Sequence, residues 1–373
     1  MSLLAAIAGF AILVILHELG HFVVAKAVGM RVEKFFLFFP PKLFSVTRGE
    51  TEYGIGAIPL GGFVKITGMD PEEELEPEVA PRAYYAQPVW KRIVVIAAGP
   101  VVNIVLAFVI LLLLATTFGL NGDIENRIGF VEEELPAAGL LQEGDSLLSV
   151  DGRNVADFKG VRLAEAVRSQ LEEHSCAGEQ VDGCLADTPV NLLIERDGER
   201  INERITPVYE GPQTVGGVEV EGRMRLGFGY GTEIVRESLS GGISFAADRM
   251  WEVTRRTGEV LAGIFRSETR EQISGVVGTT EITRQSIEFD LRQAFGVLGL
   301  ISLSLGLINL LPFLPLDGGH IFWSVLEKIR GKRASLAAME RSSVVGFVLV
   351  LMLFLIGLNN DLGRLFGEGF DVR

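Results

Sequence analysis

Three ionisable side chains interrupt the first apolar stretch of the chain. His17, Glu18 and His21 directly follow the apolar run 11–16, and apolar character resumes at Phe22. On a helix, residues four apart share one face, so both imidazoles could bind one metal ion while Glu18 lies beside them. A bound zinc ion lowers the pKa of its water toward about 7 and polarises a carbonyl group. The motif therefore predicts a zinc site for peptide hydrolysis, with Glu18 as the general base.

The alternative interpretation of this motif is a polar cluster that only pairs one membrane helix with another. Each charged group placed in hydrocarbon costs roughly 2.5 kcal/mol or more, so it needs a partner or a water-filled cavity. A metal site supplies both. Two of the four histidines in the chain fall in this motif, which leaves too few for another histidine-based cluster. The metal site is therefore favoured.

A third zinc ligand has to come from elsewhere, because a catalytic zinc of this type binds three protein groups and keeps one position open. The candidate is Asp317, which lies in the apolar, proline-rich segment 309–319 before Gly318 and Gly319. Prolines bend the chain and glycines permit close approach, so the carboxylate could turn toward a metal held by another helix. The alternatives are that Asp317 caps a helix or lies in the interface. His320 is a weaker rival ligand, since it lies toward the polar loop.

The elements that must position these residues are membrane helices. Of the 373 residues 48% are hydrophobic, and the mean hydropathy is +0.34, both high for a soluble protein. A net charge of -14 without clustered Lys and Arg excludes nucleic acid as a partner. A span needs roughly 20 apolar residues, and four apolar stretches are long enough to be considered, near 2–25, 92–119, 294–314 and 343–359. We therefore expect a polytopic α-helical membrane protein with four transmembrane helices.

The basic residues indicate which side each segment occupies, because short loops rich in Lys and Arg stay cytoplasmic. Such residues occupy the connection after the third span and flank the segment between the first two. The predicted segments are the first transmembrane helix with the zinc motif (1–25), a cytoplasmic β-loop (26–91), the second transmembrane helix (92–119), an extracytoplasmic domain (120–232), an amphipathic membrane-surface segment (233–293), the third transmembrane helix with the third ligand (294–317), a cytoplasmic loop (318–342), the fourth transmembrane helix (343–360) and an extracytoplasmic tail (361–373).

The region 120–293 is soluble in character. Short β-like runs alternate with turn signals up to about residue 232, which predicts a separate domain. Residues 240–292 have apolar positions at helical spacing, which predicts helices at the membrane surface or an amphipathic helix packed on the soluble domain. Cys176 and Cys184 could form a small disulfide loop in an oxidising compartment, or remain two free thiols.

With these motifs the chain resembles the site-2 protease family of intramembrane metalloproteases, in particular the bacterial branch with an inserted PDZ domain. The sequence His17-Glu18-Leu-Gly-His21 matches the zinc motif of that family. A second signature is matched by Asn309-x-x-Pro312-x-x-x-x-Asp317-Gly318. The resemblance implies Asp317 as the third ligand of one Zn2+ ion and Asn309 as a substrate-positioning residue.

Two further segments are similar to parts of that family. The segment 58–65, which contains Gly61, Gly62 and Phe63, resembles its membrane-associated β-loop, and the resemblance implies that these residues present the substrate as an extended strand. The segments 135–145 and 147–152 look like a PDZ domain, which binds peptide termini or extended segments by strand addition, with 225–230 as its peptide-facing strand.

The resemblance implies a zinc metalloendopeptidase in the bacterial inner membrane, with its PDZ domain extracytoplasmic. Its expected partners are the lipid bilayer, peptide termini and single-span membrane proteins such as anti-sigma factors or signal-peptide remnants. One alternative is a non-catalytic PDZ membrane scaffold, in which the polar helix residues only hold the bundle. A second alternative is a zinc enzyme that faces the aqueous phase, against which the three further spans argue.

Overall fold

The computed structural model describes residues 2–70, 73–215, 218–264, 266, 269–270 and 273–366. It divides the chain into two compact units, Met1–Phe118 with Glu237–Arg373, and Gly119–Arg236. The helices described are α1 (Ser2–Ala27), α2 (Val89–Leu113), α3 (Gly160–Leu171), α4 (Leu239–Ala262), α5 (Val276–Phe289), α6 (Leu291–Asn309), α7 (Asp317–Arg330) and α8 (Leu336–Phe366).

Four helices of the first unit are long and apolar enough to cross a membrane, namely α1, α2 with its π-helical extension Leu114–Phe118, α6, and α8 from Ala337 onward. The helix α2 is the centre of this unit and packs against α1, α4, α6 and α7. Two neighbouring helix starts carry side-chain caps, since Ser238 accepts a hydrogen bond from the Gly241 backbone and Asp290 accepts one from the Arg292 backbone.

The third span differs from its predicted bounds of 294–317. The helix α6 ends at Asn309, and Asp317 is instead the first residue of α7. Pro312 and Pro315 cause this break, because proline lacks a backbone donor and its ring clashes with the preceding helical turn. The connection predicted as the loop 318–342 is consequently helical up to Arg330, and the last helix begins before the predicted residue 343.

The other predicted segments differ less. The second span begins at Val89 rather than 92, and the amphipathic region contains α4 and α5. The helix α4 packs against α2 and α6, while its Trp251 side chain is 70% exposed. Of the predicted tail 361–373, the residues up to Phe366 continue α8, and 367–373 lie outside the described residues.

The segment after α1 forms two long strands, β1 (Val32–Arg48) and β2 (Thr51–Ile66). The first half of β1 lies between two stretches of β2, so that Phe36 is opposite both Gly54 and Phe63. The Phe63 ring stacks on the rings of Phe36 and Phe39, with centroids 5.3 and 6.1 Å away. The predicted β-loop is thus a small sheet that carries a stack of three phenylalanine rings.

The second unit is built on an antiparallel sheet. Its remaining strands are β3 (Leu120–Val131), β4 (Ser146–Val150), β5 (Arg153–Asn154), β6 (Val190–Arg196), β7 (Glu199–Ile205), β8 (Val208–Glu210), β9 (Gln213–Val215), β10 (Val218–Val220), β11 (Arg223–Arg225) and β12 (Phe228–Val235). The main sheet has the order β12-β3-β4-β6-β7, with β5 beside β4. One face is covered by α3, whose Leu163, Ala166 and Val167 are buried in the core.

The sequence left open whether the two cysteines form a disulfide or remain free thiols. In the structure, Cys176 and Cys184 form a disulfide.

A buried ion pair joins Arg196 to Asp145, the last residue of the segment 135–145 in this unit. The Asp145 side chain is 1% exposed and accepts hydrogen bonds from Arg196 and from the Gln142 backbone. Arg196 also donates to the Leu140 carbonyl oxygen. Burial raises the pKa of Asp145, but these hydrogen bonds outweigh it and hold the pKa of the carboxyl below its usual value.

This lowered pKa makes the stability of the unit depend on pH. A carboxyl whose pKa is depressed on folding stabilises the fold above its unfolded pKa of about 3.9, and that contribution is lost as the pH falls through the folded value. We expect Asp145→Asn to lower the unfolding free energy of the excised unit 119–236 by about 1–3 kcal/mol at pH 7. The difference from the parent should shrink below about pH 4. Urea unfolding at both pH values measures it, and an equal loss in the exposed control Glu143→Gln would contradict the assignment.

Candidate metal centre

The structure brings His17, His21 and Asp317 together. The His17 Nε2 atom lies 3.1 Å from Asp317 Oδ2, and His21 Nε2 lies 3.3 Å both from Asp317 Oδ2 and from His17 Nε2. The two imidazoles come from adjacent turns of α1, and the carboxylate comes from the first residue of α7. Among the described residues, these three form the group of His, Cys, Asp and Glu side chains able to hold a metal ion.

The spacing of the three ligand atoms fits zinc. Tetrahedral zinc with bonds of 2.0–2.2 Å to nitrogen and oxygen separates its ligand atoms by about 3.4 Å, close to the distances found here. His21 Nδ1 lies 2.9 Å from the Val95 carbonyl oxygen and donates its proton there, which makes Nε2 a lone-pair acceptor. Two acceptors, this Nε2 and the Asp317 carboxylate, therefore face each other and require a cation or a proton between them.

Gly99 of α2 provides the space beside these ligands. A Cβ atom at this position would lie 2.3 Å from His21 Nε2 and 2.8 Å from His17 Nε2. Any side chain would therefore occupy the place where the two imidazole nitrogens converge. Glycine is therefore required at this position for the close approach of α2 to the two imidazoles. Together with the Val95 carbonyl, it places α2 in direct contact with the site.

Glu18 stands next to His17, His21 and Asp317 but is not part of that group. A Cβ atom on Gly62 would lie 3.0 Å from Glu18 Cγ, and the Val64 backbone also lies near the Glu18 carboxylate. The second half of β2 therefore passes directly over the side chain proposed as the general base. That position leaves Glu18 beside the metal site and next to an extended strand.

The other residues singled out in the sequence have different surroundings. Gly61 lies against the Phe39 ring, and Phe63 belongs to the aromatic stack. The Asn309 amide donates to the Leu305 carbonyl oxygen in its own helix, at 3.0 Å. His320, the rival ligand, is outside the group of three and lines a small cavity of about 60 Å3 with Tyr84 and Trp323, among others.

Sequence patterns predict α2 as a span, but they do not indicate how its residues support the group of three. Arg92 is one of the basic residues that flank the predicted cytoplasmic segment 26–91. Its guanidinium makes two hydrogen bonds to Glu327, at 2.9 and 2.7 Å. The segment Gly99-Pro100-Val-Val-Asn103 resembles the second-span motif of the site-2 protease family, but the resemblance does not indicate what Gly99 does. No residue type marks the Val95 carbonyl. The spacing of Arg92, Val95 and Gly99 could have shown that these residues act together, because positions i, i+3 and i+7 lie on one helix face.

Comparison with known proteins identifies the family. The sequence model described as peptidase family M50 matches residues 5–353. The chain belongs to this family. Zinc metalloprotease Rip1 of Mycobacterium tuberculosis is 33% identical over 91% of this chain and 88% of its own. Zinc metalloprotease RasP of Bacillus licheniformis is 26% identical over 98% of this chain and 99% of its own.

Membership of the M50 family establishes the general activity. This M50 protein is a zinc metalloendopeptidase and a membrane protein, as its relatives and its four apolar helices indicate. The resemblance to the site-2 protease family drawn from the sequence motifs is confirmed. Zinc, whose tetrahedral spacing matches the three atoms, is accordingly the metal cofactor of this protein.

Proposed function

We propose that this protein cuts single-span membrane proteins within the bilayer, with His17, His21 and Asp317 as zinc ligands and Glu18 as the general base. The observation that carries the proposal is the convergence of three ligand atoms at zinc spacing on and beside a helix long enough to span a membrane. Groups this polar inside an apolar helix are explained by a catalytic metal site.

The residues of the chain have separate tasks in the reaction. When bound, zinc polarises the scissile carbonyl and acidifies water. Glu18 takes the proton from the attacking water and passes it to the leaving amine. The hydrogen bond to the Val95 carbonyl keeps the His21 ring in one orientation and one tautomer. The water attacks a peptide group that must first be released from its own helix, because a helical peptide group is poorly exposed.

The substrate segment is proposed to lie extended beside β2. The stretch 62–66 of β2 pairs with β1 and passes Glu18 at Gly62 and Val64. Strand addition would supply backbone hydrogen bonds to the unwound segment at the place where Glu18 acts. In this arrangement Gly61, Gly62 and Phe63 position the substrate, and Asn309 does so from the end of α6. Leu43 and Phe44, 69% and 67% exposed on β1, support contact of the sheet with lipid.

The unit Gly119–Arg236 is proposed to be a PDZ domain on the extracytoplasmic side of a bacterial inner membrane. Its edge strand β12 and its helix α3 are the elements that such domains use to bind an extended peptide. The disulfide between Cys176 and Cys184 supports an oxidising compartment. We propose anti-sigma factors or signal-peptide remnants as substrates, trimmed on the outer face before this protease cuts them.

A non-catalytic PDZ membrane scaffold, in which the metal only stabilises the bundle, is disfavoured by the M50 family, because relatives of this chain are named zinc metalloproteases. Its distinguishing feature would be zinc binding without hydrolysis. The position of Glu18 speaks against this function, because a purely structural metal site does not need a carboxylate beside its ligands.

The proposal is tested with purified protein in vesicles that also contain a tagged single-span substrate, already truncated on its outer side. We expect two fragments whose new ends, located by mass spectrometry, lie within the apolar span. Removing the metal with a chelator should abolish both fragments, and stoichiometric zinc should restore them. Stoichiometric zinc without cleavage would favour the scaffold, and cleavage of soluble peptides alone would place the active site in the aqueous phase.

A further inference from the structure

A buried ion pair connects α2 to the far end of the helix that begins with Asp317. The Arg92 side chain is 2% exposed, and its two terminal nitrogens bind the two carboxylate oxygens of Glu327. The same guanidinium lies over the rings of Tyr84 and Tyr85, at 5.9 and 5.4 Å from their centroids. Its planar fork and its stacking both restrict the orientation of the group.

Stability alone does not explain a charge buried in this way. The cost of desolvating two charges often equals their attraction, so apolar side chains of similar volume would stabilise the fold as well or better. The best-attested use of a buried polar or ionic pair is to fix the register between two helices. The pair between Arg92 and Glu327 is therefore expected to determine where α7 lies along α2.

The register between α2 and α7 decides where Asp317 lies. On α2, Arg92 and Gly99 share one face and are about 10 Å apart along the axis. Gly99 adjoins the His17 and His21 ring nitrogens, which in turn contact Asp317 at the start of α7. Arg92 binds Glu327 near the end of the same helix. The chain just before α7 cannot hold that start by a side-chain cap, because Leu316 is apolar.

We propose that Arg92 is a positioning residue for the zinc site, which sets the register of α7 through Glu327 and so places the Asp317 carboxylate. A slip of one residue would move Asp317 by about 1.5 Å along the helix and rotate it by about 100°. Zinc sites tolerate only about 0.2 Å in their bond lengths. The inference rests on the proposed ligand set of His17, His21 and Asp317.

A neighbouring basic residue provides the matched control. Arg333 also approaches the Glu327 carboxylate, at 3.7 Å, and donates to the Tyr85 carbonyl oxygen, but its side chain is 57% exposed. An exposed contact at this distance is screened by water and fixes no register. Arg333→Gln also removes one positive charge near Glu327, but it leaves the two hydrogen bonds from Arg92 to Glu327 in place.

The test measures zinc affinity of the purified full chain by competition with a fluorescent chelator. We expect Arg92→Gln and Glu327→Gln each to weaken zinc binding by about 10- to 100-fold, and Arg333→Gln to change it less than about twofold. The double variant Arg92→Gln with Glu327→Gln should be no weaker than the worse single variant, because both remove one interaction.

A second double variant separates positioning from folding. Arg92→Met with Glu327→Leu replaces the pair by apolar side chains and should keep the melting temperature of the zinc-free protein. We expect this variant to bind zinc at least tenfold more weakly than the parent. Parent-like zinc affinity in this variant would overturn the proposal, as would equal losses in Arg92→Gln and Arg333→Gln. Failure of the parent to bind zinc would instead refute the ligand set, and zinc binding without proteolysis would refute only the proposed function.

Discussion

Replacing Glu18 with glutamine is expected to abolish cleavage while zinc stays bound. Glutamine has nearly the same shape, so it can keep the position beside Gly62 and Val64, but it cannot accept the proton of the attacking water. General acid–base catalysis contributes about 10²–10⁴-fold to rates of this kind. We therefore expect the rate of fragment formation to fall by about that factor. The measurement is cleavage of the truncated single-span substrate in vesicles, with zinc content determined on the same preparation.

The glutamate of β2, Glu52, offers a control for the Glu18→Gln variant. Glu52 pairs with Lys42 on the surface of the sheet, so Glu52→Gln should cleave at nearly the parent rate. Cleavage by Glu18→Gln at the same rate as Glu52→Gln would show that Glu18 is not the base. Loss of zinc from Glu18→Gln would show instead that this residue helps to hold the metal.

The helices and the pair of imidazoles could be predicted from local patterns. A run of about 20 apolar residues has few structures other than a span, and four-residue spacing places His17 and His21 on one helix face. The helix break before Asp317 was harder to locate, although Pro312 and Pro315 were visible. Prolines indicate that a helix ends nearby, while the residue at which the next helix begins depends on tertiary packing.

The supporting contacts could not be predicted, because they join residues far apart in the chain. Arg92 and Glu327 are 235 positions apart, and a chain with many charged residues offers many equally good pairings on paper. The Val95 carbonyl is a backbone group, so no side-chain type marks its role. The pairing of β1 with two separate stretches of β2 depends likewise on how the chain folds back on itself. Strand propensity predicts that a segment is a strand, but it does not predict which strand it pairs with.

The face of α2 formed by Arg92, Val95 and Gly99 therefore connects these contacts. It orients His21, leaves room for both imidazoles and holds the helix that carries Asp317. The three proposed ligands come from α1 and α7, and both of these helices are positioned by contacts with α2. Supporting contacts of this kind keep the side chains of a site within the narrow geometry that a metal requires.

Removal of the Asp317 carboxylate by Asp317→Ala is expected to cost the protein its zinc and its proteolytic activity together. Structural zinc sites gain about 10–16 kcal/mol from four ligands, so losing one ligand corresponds to about 3 kcal/mol, or a hundredfold or more in affinity. His320→Ala is the matched control, since His320 is three residues further along α7 and outside the ligand group. It should retain zinc within about threefold. The opposite result would be loss of zinc from His320→Ala and retention of zinc by Asp317→Ala. It would make His320 the third ligand. The helix α7 would then have to be turned from the orientation that it has with Arg92 bound to Glu327.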